Sequence, residues 1–104
     1  MIYIIAAAGS PFVKIGKSRG IGRLDDLQVG CPYQLAYLAI ADWPDSDEKK
    51  IHRVLRHSRE RGEWYRRGVD VDRLINHMHS GLSFDAWLNE RTPKRLARIL
   101  KFAR

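Results

Sequence analysis

The chain has 104 residues, 44% of them hydrophobic, with three tryptophans, which argues for one packed domain rather than a disordered tail. Nineteen Lys and Arg against twelve Asp and Glu leave a formal charge of +7, which favours a polyanionic partner, nucleic acid or an acidic membrane surface. No apolar run reaches the length of a membrane span, and the single cysteine, Cys31, excludes an internal disulfide and cysteine-based zinc sites and fits a reducing cytoplasm.

Residues 2 to 8, rich in Ile, Tyr and Ala, read as a strand. The apolar start has no basic flank and is short for a signal peptide, so the expected location is cytoplasmic. Gly9-Ser10-Pro11 punctuates a turn, and residues 12 to 15 resume a β-type run, which together predict an N-terminal hairpin. A short helix is expected over 23 to 28, ended by Gly30 and Pro32, and a third strand over 33 to 41. Asp45 with Glu48 three residues on resembles a capping box opening a helix over 46 to 60, with Ile51, Val54 and Leu55 as its buried stripe and Gly62 as its C-cap. Val71, Leu74, Ile75 and Met78 are at helical spacing over 70 to 79, and Ser83 caps a short helix carrying Phe84, Trp87 and Leu88. Thr92-Pro93 opens a last, basic helix over 93 to 104. Strands first and helices mostly after predict a single α+β domain: a small three-stranded antiparallel sheet flanked by helices, its core about 1–68, with a C-terminal helical extension about 69–104.

Ile2-Tyr3-Ile4-Ile5, Val13-Lys14-Ile15-Gly16-Lys17-Ser18, Arg23, Glu48 with His52, and Gly62-Glu63-Trp64-Tyr65 follow one another in order. This ordered set resembles the GIY-YIG nuclease superfamily, in the short phage-type branch whose second motif reads V-K-I-G-K-[ST]. The resemblance runs from about residue 2 to 65. It matches Tyr3 to the tyrosine of the first motif, Gly16 to the glycine of the second, Arg23 to the helix-borne arginine and Glu48 to the metal-binding glutamate. Met1 stands where the first motif has glycine, Lys14 stands where the second has tyrosine, and the family's late asparagine has no match. The resemblance implies an endonuclease that hydrolyses nucleic-acid phosphodiesters, with DNA ahead of RNA. A non-catalytic nucleic-acid-binding module on the same scaffold is the alternative, and a protein-interaction domain a third reading.

Elementary chemistry leads to the same residues. Phosphodiester hydrolysis needs a hard cation on the phosphoryl oxygens, a second positive group for developing charge and a base for water. One Mg2+ (or Mn2+) ion can be held by a single carboxylate, here Glu48, with water and phosphate completing its shell. Arg23 can fork onto two phosphate oxygens at any working pH. Tyr3 becomes a better base beside a cation, and Lys14 is the candidate if both leave the sheet on one face. If Ala7 faces Lys14, the two-residue period puts Tyr3 on the lysine side; if Ala6 faces it, Tyr3 points away. A two-residue Ser10-Pro11 turn produces the first register.

Glu48, His52, Arg56 and Arg59 are expected to line one flank of a common helix, close enough to reach a cleft. His52 is a candidate phosphate ligand or proton relay, or a plain helix-surface histidine. Lys17 and Ser18 shape the loop or touch phosphate, and Glu63 orients a loop backbone or a basic residue. Trp64 reads as a core plug ahead of a base-stacking platform. Arg56, Arg59 and the final helix's Lys94, Arg95, Arg98 and Lys101 are expected to meet nucleic acid, although basic amphipathic helices also serve membranes and protein partners. Cutting both strands of a duplex calls for two active sites, which leaves a homodimer open.

Overall fold

The computed structural model describes residues 1–18 and 23–91, with the backbone alone at 23 and 89–91. The elements run β1 (Ile2–Ala7), β2 (Phe12–Lys17), α1 (Arg23–Gln28), β3 (Leu35–Ala41) and α2 (Asp47–Val54). A 3-10 turn (Arg56–Ser58), β4 (Arg59–Arg61), β5 (Trp64–Arg66), α3 (Val69–His79) and α4 (Phe84–Arg91) follow. The class is α+β. The sheet is antiparallel throughout, in the order β3-β1-β2-β5-β4. The three expected strands are therefore joined by two short ones, a correction to the three-stranded reading.

The two added strands come from the segment expected to finish the helix over 46 to 60. That helix stops at Val54, Leu55 leaves helical geometry at φ −95 and ψ 11, and the chain tightens into the 3-10 turn. No apolar side chain occurs between residues 56 and 63, so nothing there could hold further helical turns against the core. Gly62, at φ +55, turns the β4–β5 hairpin instead of capping a helix. The capping box does not form either. Ser46 is the N-cap and makes no side-chain cap bond, because the first backbone donors already find the carbonyls of Pro44 and Asp45. Asp45 Oδ1 instead accepts the Met1 nitrogen at 2.9 Å.

β1 is buried on both faces, so its alternation divides the core in two. On one face Ile2, Ile4, Val13, Ile15 and Tyr65 meet Ile51 of α2, Leu55 just after it, and the apolar stripes of α3 and α4. Trp43 meets Phe84 edge-on and Phe84 meets Trp87 at a tilt there, at 5.6 and 5.5 Å between ring centroids, and Ser83 Oγ accepts the Ala86 amide at 3.2 Å as the expected cap. Val71, Leu74, Ile75 and Met78 belong to the same cluster, so α3 packs into the larger half of the core. On the other face Tyr3, Ile5, Ala7 and Leu35 form a smaller cluster under Leu24 and Leu27 of α1. A bulge in β3 between the partners of Ile4 and Ile5 lets Leu38 and Ala39 both reach the larger cluster.

Among the described residues no helix is long and apolar enough to cross a membrane. The basic helix expected over 93 to 104, with Lys94, Arg95, Arg98 and Lys101, lies outside the described residues.

Candidate functional site

Four residues, 8 to 11, connect β1 to β2, and Gly9 supplies the left-handed position at φ +77. The Ser10 amide bonds the Ala7 carbonyl at 3.1 Å, and the Phe12 amide bonds Ser10 Oγ at 3.1 Å. The turn centres on Gly9 because glycine alone adopts that φ at no steric cost, so the expected Ser10-Pro11 turn is displaced. Ile5, not Ala7, then faces Lys14. The shift is two residues, which keeps the parity: Tyr3 and Lys14 leave the sheet on the same face.

Tyr3 pairs with Gly16, and its ring lies across that glycine. A Cβ on Gly16 would stand 2.5 Å from the Tyr3 hydroxyl and 2.6 Å from its Cζ. The close approach of a phenol, not the backbone conformation, is what calls for glycine here. Tyr37 meets the Tyr3 ring edge-on at 6.1 Å. The residues of α1 that follow Arg23 pack on this same face, so Arg23 begins the helix that covers Tyr3. Its side chain is outside the described atoms.

Lys14 has a partner the sequence left open. Its Nζ is 2.7 Å from Glu63 Oε2, an ion pair between the middle of β2 and the residue that leads into β5. β5 faces β2 only as far as Lys14, and beyond it the Ile15 amide takes the Glu63 carbonyl at 3.0 Å. There β2 presents its edge to α2. His52 Nε2 donates to the Ile15 carbonyl at 2.9 Å, which places the proton on Nε2.

Glu48, one turn earlier on α2, has Oε1 3.9 Å from that same nitrogen. Its Oε2 is buried and has no hydrogen-bond partner among the described residues. An ionisable oxygen left in this state costs on the order of 1–3 kcal/mol or more, and a cation would relieve it. Glu48 thus fits the donor that a hard divalent ion takes. Among the described residues no group of three or more His, Cys, Asp or Glu gathers, so Glu48 stands in no cluster of protein donors of that kind.

The edge also contains Tyr65, which sequence reasoning missed. Its ring meets His52 edge-on at 5.2 Å, and its buried hydroxyl is without a partner among the described residues. Burial pushes the Tyr65 phenol above its ordinary value; Arg59 opposes this, while the Glu63 and Glu48 carboxylates add to it. Its membership of the site depends on β5 pairing with β2, which no local pattern encodes.

Arg56 and Arg59 do not share a helix flank with Glu48 and His52, because α2 ends before them. Arg56 is exposed on the 3-10 turn, and Arg59 opens β4 with its Nε donating to the Gly62 carbonyl at 2.8 Å. Lys17 is exposed at the end of β2, and the Ser18 amide bonds the Met1 carbonyl at 3.0 Å. Trp64 is half-buried against the smaller cluster. Comparison with protein-family models, with curated proteins and with solved structures finds no match.

Proposed function

We propose that the protein is a divalent-metal-dependent endonuclease of GIY-YIG type, hydrolysing nucleic-acid phosphodiesters, with DNA ahead of RNA as substrate. The observation that carries this reading is the buried carboxylate oxygen of Glu48, without a hydrogen-bond partner among the described residues, beside the free end of β2, where the Tyr3 ring is laid over Gly16. When bound, Mg2+ or Mn2+ supplies Lewis-acid charge to phosphoryl oxygens and acidifies its water.

Glu48 holds that ion. Tyr3 presents its phenolic oxygen above Gly16 and, as the phenolate, takes up the proton of the attacking water. Lys14, paired with Glu63, supplies positive charge on the same face. His52 fixes α2 to β2 through Ile15 and so positions Glu48; its Nε2 proton is committed to that carbonyl. Arg23, at the start of the helix over Tyr3, stabilises charge on the transition state. Lys17 draws the phosphate backbone toward the site.

The non-catalytic binding module has its own supporting observations. Glu63 already neutralises Lys14, and the stripe of α2 rests on the face of the sheet opposite Tyr3. One assay separates the two readings. Supercoiled plasmid, linear duplex and single strands are incubated with Mg2+ or Mn2+ and the wild type, Glu48→Ala or Arg23→Ala. Cutting by the wild type alone is the expected result. Salt-dependent retention of DNA with no cutting selects the binding module, and failure to retain nucleic acid at low salt removes both.

A further inference from the structure

On the sheet face that carries Tyr3 and Lys14 lies a groove of about 230 Å³. Its walls include Phe12 of β2, Trp64 of β5 and Tyr33 of the segment after α1, with Cys31 and Ala7 between them and Glu60 and Arg61 at the side. Register places it in line with the proposed site: Trp64 is the cross-strand partner of Lys14, and Phe12 is two residues before Lys14 on the same face. Three aromatic rings around one small groove are more than the core requires, since Tyr33 is 48% exposed. The volume falls below the roughly 300–1,000 Å³ of pockets that enclose drug-sized ligands, so a smaller planar group suits it.

We infer that this groove is a nucleobase pocket, which takes one unpaired base of the bound strand between Tyr33, Phe12 and Trp64. The inference rests on the nucleic-acid reading above and narrows its substrate class to single-stranded or locally unpaired nucleic acid. The surrounding charge suits the rest of the nucleotide. Arg61 lines the groove and Arg66 lies over the Phe12 ring at 5.2 Å, while Lys14 and Glu63 offset each other. Of the acids nearby, Glu63 is occupied by Lys14, and Glu60 in the wall can accept an N–H from a base edge. At a strand rise of about 3.4 Å per residue, Phe12 is about 14 Å from Gly16. The base in the groove therefore belongs to a nucleotide one or two removed from the phosphate at Tyr3. A base stacked in a duplex cannot enter such a groove, whereas an unpaired base offers its whole face to aromatic rings.

The test uses the intrinsic fluorescence of the full chain. Trp43 and Trp87 are buried, so Trp64 is the tryptophan that a base in the groove would quench. A thymidine oligonucleotide, an abasic strand of the same length and a blunt duplex of the same length are titrated at fixed low salt without divalent metal. The expected result is quenching by the thymidine strand alone, with affinity roughly five- to a hundredfold above the abasic strand, the span that base–aromatic stacking carries. Tyr33→Ala, an exposed loop substitution, is expected to remove that advantage and leave abasic binding unchanged, and Tyr33→Trp to restore it. Equal affinity for all three nucleic acids, or no effect of Tyr33→Ala, overturns the pocket while the nucleic-acid reading stands. Binding of none of them overturns both, and tight single-strand binding by a protein that cuts nothing keeps the pocket and overturns hydrolysis.

Discussion

The two faces of the sheet are built from the same strands and differ in kind. One buries Ile2, Ile4, Val13 and Ile15 under three helices, with Trp87 and Leu74 fully enclosed. The other buries Tyr3, Ile5 and Ala7 under one short helix and leaves Lys14, Trp64 and a groove beside them. Apolar area is thus concentrated on the first face, which holds the domain together. The second is left with aromatic and charged groups at partial exposure, the condition in which they can meet a ligand. The proposed carboxylate joins the two, because Glu48 belongs to a helix of the first face and arrives at the edge of β2 that both share.

The sharpest way to break this comparison is a large truncation on the first face. Trp87→Ala is expected to lower unfolding free energy by about 3–5 kcal/mol in urea titration, the usual loss for a fully buried indole. A loss below about 1 kcal/mol would mean that the larger cluster is not the stabilising one.

Next in size is Glu48→Gln. It is expected to reduce plasmid cutting on the order of 10²- to 10³-fold, the scale on which removing one charge-stabilising group acts. A second readout is independent of activity. Mn2+ should raise the Tm of the wild type through preferential binding to the folded state and leave that of Glu48→Gln in place. Equal shifts in both proteins would place the ion elsewhere.

Gly16→Ala probes the second face. Its Cβ would collide with a buried, rigid phenol, so a loss of about 1–3 kcal/mol is expected, together with displacement of the Tyr3 ring and a fall in cutting. Pairing this substitution with Tyr3→Ala should recover the stability lost to the clash and none of the activity. A neutral Gly16→Ala would show that the ring is free to leave.

The smallest effect concerns Tyr65, at the meeting of the two faces. Tyr65→Phe removes a buried hydroxyl that has no partner among the described residues, so stability should be unchanged or rise by about 1 kcal/mol. Burial raises the folded-state value of this phenol above its unfolded one. The folded protein therefore binds the proton more tightly, and the contribution is complete below about pH 10 and is lost as pH rises through the folded value. Urea titrations at pH 8 and pH 11 should show a steeper alkaline loss for the wild type than for Tyr65→Phe. Parallel losses would assign the alkaline sensitivity to other groups.

Much of this was legible in the residues alone. The elements of the hairpin, α1 at 23–28, the stripe of α3 and the Ser83 cap all follow from spacing between near neighbours. The shared face of Tyr3 and Lys14 also depends only on parity, which survived a turn centred on Gly9 instead of Ser10-Pro11. The expected helix over 46 to 60 ends where its apolar stripe runs out, because residues 56 to 63 carry no apolar side chain and Gly62 turns a hairpin instead of capping a helix.

What the amino-acid order settled by itself is which residues lie on a common strand face or helix stripe, because those relations arise within a turn or two of chain. Only the tertiary structure decided that Glu63 neutralises Lys14, that α2 lies against the face opposite Tyr3, and that Glu48 is buried with one oxygen unmatched among the described residues. Each of these brings together residues from separate elements, and Lys14 and Glu63 are 49 positions apart. Their meeting depends on which strand edge is left open and which helix fills it, a choice made by burial of the whole core and not by any local pattern.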